Sequence, residues 1–329
     1  MELKQEQMYL GDIISSDGRQ DKNITSRRNK GLGKINEIMQ ILQSLFFGKY
    51  YFEVALVLRS SLLHSSLLLN SEAWLNLTEK NLRVLEQNDE ILLSKILGCE
   101  ANTSNVFKYL ELRIFPIRFE IMKRKVLFLQ YILQQEKTSM VYRVFQATCE
   151  NRINNDFVKT CEKYLQIIGI MLTFEEIREM STFTFKKLVR ENVKLAGFQY
   201  LMEKKNELGK QTKISHLQYK KLEIQEYLMD GNQNTEISKL IFKARGKNLD
   251  IKEHKKWKYK DNLCIGCNTR IETEEELLSC PGLGEENENS SEKISFSLVY
   301  GDSVTDMIKV AQKIRKRLKM RERILEEIT

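Results

Sequence analysis

Residues Ile24 to Leu45 read ITSRRNKGLGKINEIMQILQSL. Ile24, Ile35, Ile38, Leu42 and Leu45 keep the i, i+3, i+4, i+7 spacing of a helix with one apolar face. The same periodicity returns along most of the chain. With only 2 prolines and 15 glycines in 329 residues, turn-rich β structure is disfavoured and the predicted fold is mainly α. The first half of this helix carries Arg27, Arg28, Lys30 and Lys34, interleaved with Gly31 and Gly33. Each helical glycine costs about 1 kcal/mol relative to alanine. The pair makes sense if another backbone, such as a nucleic-acid duplex, approaches closely; the alternative is a solvated, loosely packed helix end.

Composition sets the outer bounds. A 42% apolar and 30% charged chain of this length is a soluble globular protein with one large core or two smaller ones. A formal charge of +8 makes a polyanion a plausible partner. Six cysteines show no disulfide framework, and Cys99, Cys149 and Cys161 sit singly in helical patterns. No signal peptide is evident, so an intracellular, reducing compartment (nucleus or cytoplasm) is expected. Val54–Leu69 is the most apolar segment, but Arg59 and His64 suit a buried helix, so no membrane partner is expected. The sequence leaves the oligomeric state open.

Upstream of Ile24, Met8–Ile14 reads as a short strand and Ser16-Asp17-Gly18 as a turn. Downstream, Tyr50–Leu69 forms a second helix, and Thr78 caps a third that runs to about Leu97. His64 and Trp74 read as packing residues. A boundary falls at Gly98–Thr103. Pro116 opens a helix reaching Gln135, with a basic edge of Arg118, Lys123, Arg124 and Lys125 that reads as a second nucleic-acid backbone contact or, residue by residue the blander choice, a solvated face. Scaffold helices follow, with a capping box at Thr173-Phe174-Glu175-Glu176 and an apolar stripe of Phe183, Phe185, Leu188, Val189 and Leu195.

The chemistry concentrates later. From Lys239 to Arg270 there are ten Lys or Arg against three Asp or Glu. Arg245, Lys255, Lys256, Trp257, Lys258 and Tyr259 interleave cations with rings that can stack on bases, a pattern of nucleic-acid contact. A lysine-rich linker around one buried Trp is the alternative. Cys264 and Cys267 form C-x-x-C, and Cys280 returns a third sulfur. A tetrahedral metal site needs a fourth ligand. Gly282–Glu292 is acidic and reads as a flexible linker. Ser303–Ile328 reads as a helix with Ile308, Val310, Ala311, Ile314 and Leu318 inward and a basic face outward.

Several of these segments resemble the C-terminal part of LINE-type (non-LTR) retrotransposon reverse transcriptases. Tyr9-Leu10-Gly11 with Ser16-Asp17-Gly18 resembles the strand and turn that link the palm to the helical thumb. Ser71-Glu72-Ala73-Trp74 resembles the thumb, and Tyr109-Leu110-Glu111-Leu112 with Pro116-Ile117-Arg118 the segment after it. Phe242-Lys243-Ala244-Arg245 and Lys258-Tyr259 resemble the lead into the family's zinc knuckle. There the family's His falls on Glu276, implying a zinc site of Cys264, Cys267, Glu276 and Cys280. Glu276 is a harder donor than that His, and His254 is the other candidate if the chain folds back. A decayed knuckle with reduced thiols is the bland alternative.

The resemblance implies a strand-turn and thumb-like bundle over 1–100 and a helical extension over 101–237. A knuckle-like module over 238–284, an acidic linker over 285–300 and a basic helix over 301–329 complete it. RNA or DNA would be the partner. Polymerisation needs palm aspartates holding two metal ions, and the chain has no adjacent Asp pair. It is therefore expected to be inactive alone, as a truncated open reading frame or one completed by a separately encoded palm. A helical scaffold protein without nucleic-acid function is the alternative.

Overall fold

The computed structural model describes residues 6–9, 12–15, 19–44, 50–75, 77–150, 157–208, 214–219, 223–229, 234–284 and 294–328. Two short strands, β1 (Glu6–Tyr9) and β2 (Asp12–Ser15), pair antiparallel with Met8 opposite Ile13. Helices account for nearly all other regular structure. They are α1 (Asp21–Ser44), α2 (Tyr51–Leu58), α3 (His64–Leu67), α4 (Glu79–Leu97), α5 (Asn105–Leu112), α6 (Ile117–Leu133) and α7 (Met140–Glu150). Beyond them lie α8 (Phe157–Ile167), α9 (Phe174–Glu179), α10 (Thr182–Glu207), α11 (Glu226–Met229), α12 (Thr235–Arg245), α13 (Glu274–Ser279) and α14 (Val304–Ile328). A π-helical turn, Arg59–Leu63, joins α2 to α3. The mainly α expectation holds. Among the described residues no helix is long and apolar enough to cross a membrane.

The chain forms two compact units. The first comprises Met1–Ser44, Val54–Leu93 and Ile114–Lys204. One core in it gathers Phe119, Val126 and Leu129 of α6, Val158 and Cys161 of α8, and Phe185 and Val189 of α10. The expected stripe on α10 is narrower than its sequence, since Phe183 and Leu195 face solvent. Ile24, Ile35, Ile38 and Leu42 are buried along α1, while Leu45 lies outside the described residues.

Charge is also buried in this unit. Arg59 grips Asp89 with two bonds of 2.6 Å and donates to the Phe115 carbonyl. His64 lies beside them, its pKa lowered by burial and by Arg59. The basic edge of α6 is no solvated face. Arg118 binds Glu86 bidentately, Lys123 and Arg124 meet Glu120, and buried Lys125 donates to the Trp74 carbonyl at 2.5 Å.

The second unit comprises Leu45–Glu53, Ser94–Arg113 and Lys205–Thr329. One core holds Ala244 of α12, Leu249 and Ile251, Cys264 and Cys280, Leu277 of α13, Phe296 and Val299, and Val310 and Ile314 of α14. The three segments expected over 238–284, 285–300 and 301–329 thus share one interior. Residues 285–293 of the expected linker lie outside the described residues. The rest of it is no linker: Phe296–Tyr300 forms a 3-10 turn that buries Phe296 and Val299.

Candidate metal centre and its basic flank

The three cysteines are positioned by a small hairpin and one short helix. Leu263 and Ile271 form an antiparallel bridge, and the Cys264 N–H donates to the Arg270 carbonyl at 2.7 Å. Asn268 takes a left-handed conformation (φ 51°) and donates its N–H to the Cys264 carbonyl at 2.7 Å. This turn aims Cys264 and Cys267 the same way. Gly266 and Gly282 allow the second loop to close on the first. A Cβ on Gly282 would stand 2.2 Å from the Gly266 carbonyl oxygen, which no side chain tolerates. Cys280 caps the end of α13 and brings in the third sulfur.

Glu276 completes the set. One ligand atom from each of Cys264, Cys267, Glu276 and Cys280 lies within 4.8 Å of the others, close enough to hold one metal ion. Cys264 Sγ and Cys280 Sγ are 3.5 Å apart, as are Cys267 Sγ and Glu276 Oε1. Comparison with a second Thr-x-x-Glu segment explains the placing of Glu276. At Thr173–Glu176 the glutamate closes a capping box, accepting the Thr173 N–H at 2.7 Å. At Thr273–Glu276 the threonine still caps α13 through its hydroxyl, but its N–H is spent on the Ile271 carbonyl. The Glu276 carboxylate is turned to Cys267 instead, with Arg270 3.5 Å from its outer oxygen.

The thiols differ in acidity. Hydrogen bonds from the Thr269 side chain, and from the Thr269 and Arg270 backbone, hold Cys267 down to about 7. Burial, with Cys264 next to it, pushes Cys280 up to about 12. An ion entering the site would therefore displace a proton from Cys280, and its retention would weaken in acid. His254 is not a ligand. Its Nδ1 accepts the Leu249 N–H at 3.1 Å and its Nε2 meets Glu274 at 2.9 Å.

In the acidic run at the start of α13 each carboxylate has its own tether. Glu272 is fully buried against Arg321 and the Lys252 N–H. Glu274 receives His254 and Tyr300, and Glu275 accepts the Phe296 N–H. Arg317 donates to the Cys280 carbonyl, so α14 is fixed to the cysteine loop at two points. Sequence reasoning put the basic residues of α14 outward. Arg317 and Arg321 continue the spacing of Val310 and Ile314, and that register was the signal for their burial.

Three expected nucleic-acid contacts are corrected by burial. Arg27 is 2% exposed and pairs with Asp12 at 2.5 Å. Arg245 is 3% exposed and pairs with Glu111, which also receives the Tyr219 hydroxyl. Lys255 is 3% exposed and pairs with Glu100 at 2.6 Å. A guanidinium or ammonium that is itself buried and paired with a carboxylate of the chain is not presented to a phosphate. Lys256 and Trp257 do face solvent, Trp257 at 73%. Lys258 is exposed and shared with Asp250, and half-buried Tyr259 lies under the Arg321 guanidinium. On α1, Arg28 and Lys30 are exposed, and Lys34 meets Glu37.

The expected reason for the α1 glycines is corrected at Gly31, while open space around Gly33 agrees with the solvated alternative. A Cβ on Gly31 would meet the Asn88 side chain at 2.2 Å and Leu67 at 2.6 Å, so the close neighbour is the protein itself. No family model, curated protein or solved structure matches this chain.

Proposed function

We propose that the cysteine module is a zinc knuckle whose exposed flank, Lys256-Trp257-Lys258, binds the backbone and bases of RNA or DNA. The chain would then act as the thumb and knuckle portion of a LINE-type reverse transcriptase. The observation that carries this reading is the convergence of three sulfurs and a glutamate oxygen beside that exposed flank. Zinc–ligand lengths of about 2.3 Å to sulfur and about 2.0 Å to oxygen put tetrahedral edges near 3.7 Å and 3.5 Å. The 3.5 Å separations of Cys264 from Cys280 and of Cys267 from Glu276 fit them.

Cys264, Cys267, Glu276 and Cys280 would hold the ion, which supplies structural cross-linking and no reaction step. The chain's own residues do the binding. Lys256 and Lys258 neutralise phosphates, which positions a strand without reading its sequence. Trp257 offers an exposed face on which a base can stack, and Arg28 and Lys30 present a second basic edge on α1. With no adjacent Asp pair among these 329 residues, they contribute grip, and extension of a primer would require palm aspartates that they do not supply.

The test is anisotropy with a labelled RNA hairpin and a matched DNA duplex over a salt series, with and without a zinc chelator. Lys256→Gln/Lys258→Gln should flatten the salt slope by about 0.7–0.9 for each phosphate no longer neutralised. Glu276→His should retain zinc and Cys280→Ser should lose it, read by metal content. Lack of binding at low salt would sink the reading and leave a helical scaffold. The burial of Arg27, Arg245 and Lys255 favours that second reading.

A further inference from the structure

We infer a second strand-binding site in the groove between α12 and α14. It rests on the nucleic-acid reading above but uses none of the residues assigned there. The groove is about 180 Å³ and is lined by Lys239, Lys243, Arg315 and Lys319, with Leu240 and Leu318 between them and Glu236 and Glu322 at its margin. The four cations lie off the core faces of both helices, which are set by Ile237, Ile241 and Ala244 on α12 and by Val310, Ala311 and Ile314 on α14. Half-buried Leu240 and Leu318 pack at the edge of that core and form the groove's floor.

Two features select the ligand. First, the cations form two rows, Lys239 with Lys243 and Arg315 with Lys319, each spaced by one helical turn, about 6 Å of rise. That is the scale of successive phosphates along one strand. Second, the groove's own carboxylates leave it cationic. Lys239 is shared with Glu236 at 3.3 Å. Lys243, Arg315 and Lys319 make no ion pair with any described residue, and Arg315 and Lys319 are exposed. Lys243 sits at the C-terminal end of α12, where its helix leaves carbonyls unpaired; an anion is held there by the side chains rather than by the helix. The trough is too small for a helix, about 10–12 Å across, so an acidic helical peptide fits poorly. A single extended strand of RNA or DNA fits, its phosphates between the two rows and its sugars over Leu240 and Leu318.

The test uses the full chain with a labelled single-stranded oligonucleotide over a salt series. Lys243→Gln/Arg315→Gln/Lys319→Gln is compared with Lys256→Gln/Lys258→Gln, each checked for unchanged helicity and metal content. The groove variant should lower the salt slope by about 2, as expected when three phosphates of a single strand go unneutralised, and combining both sets should lower it further. Binding by the parent chain with an unchanged slope in the groove variant overturns the groove and leaves the knuckle standing. Binding abolished only in the groove variant overturns the knuckle flank and keeps the groove. Polyglutamate that displaces the oligonucleotide at equal charge concentration overturns the strand in favour of an acidic polypeptide. No binding by the parent chain at low salt overturns both.

Discussion

The first unit buries Arg59 against Asp89 and has, in α6, α8 and α10, helices that share a continuous apolar core. The second buries Arg321 against Glu272 and Arg245 against Glu111 around segments too short to stand alone. Helix α13 has six residues, well below the length at which a helix is stable in water. It is held from outside, by Glu272 to α14, by Glu274 to His254 and Tyr300, by Glu275 to the 3-10 turn and by Glu276 to the cysteines. The first unit is thus a packing problem and the second a tethering problem. The two should fail under different perturbations.

On the proposed zinc-knuckle reading, metal removal gives the largest contrast. Structural zinc is worth about 10–16 kcal/mol of apparent binding free energy in small modules at neutral pH. Chelation, or Cys264→Ser, should abolish amide exchange protection in α13 and in the part of α14 near Arg317, while α6 and α8 keep theirs. Hydrogen exchange read by mass spectrometry tests this. Equal loss in α6 and α8 would erase the distinction between the units.

Breaking a buried pair comes next. Asp89→Asn strands Arg59, and Arg321→Met strands Glu272, each at a cost of about 3–5 kcal/mol. Urea denaturation measures both. Only Arg321→Met should also loosen the metal, because α14 anchors the Cys280 loop. Acid distinguishes them further. Burial opposes ionisation of Asp89, but the Arg59 guanidinium and the neighbouring His64 together outweigh it and hold the carboxyl well below its ordinary range. A depressed folded-state pKa contributes stability that is present above the unfolded value, about 3.9, and lost as pH falls towards the folded value. The parent chain should therefore lose stability below about pH 4 more steeply than Asp89→Asn does. Identical acid slopes would remove Asp89 from the account.

What the sequence disclosed follows the range of the interactions. Glu276 joins the Cys264–Cys267–Cys280 trio through the family resemblance, while the α1 face, the Thr173 capping box, the Trp74 anchor and the trio itself rest on short spacings or on a single returning loop. The fate of the cations does not. Arg245 meets Glu111 from 134 residues away, and Arg27 of α1 meets Asp12 of β2 from 15 residues away. A local count of ten positive against three negative residues omits Glu100 and Glu111, the carboxylates that consume Lys255 and Arg245. Local charge density therefore overstated the basic flank, and exposure had to decide which lysines remain for a ligand.

The smallest effect tests the comparison inside one helix. Gly31 and Gly33 lie two residues apart on α1 and look alike in sequence, but their surroundings differ. Nothing lies within 4 Å of a Cβ added at Gly33, whereas at Gly31 it would strike Asn88, which donates to the Arg28 carbonyl at 2.7 Å. Gly33→Ala should stabilise by about 0.5–1 kcal/mol through helix propensity alone. Gly31→Ala gains the same propensity but must displace Asn88 and Leu67, an overpacking cost of about 1–3 kcal/mol, so it should destabilise on balance. Thermal unfolding of the two single variants separates the terms. If both stabilised, α1 would be loosely seated at its N-terminal half, and the close approach at Gly31 would have to come from a bound partner after all.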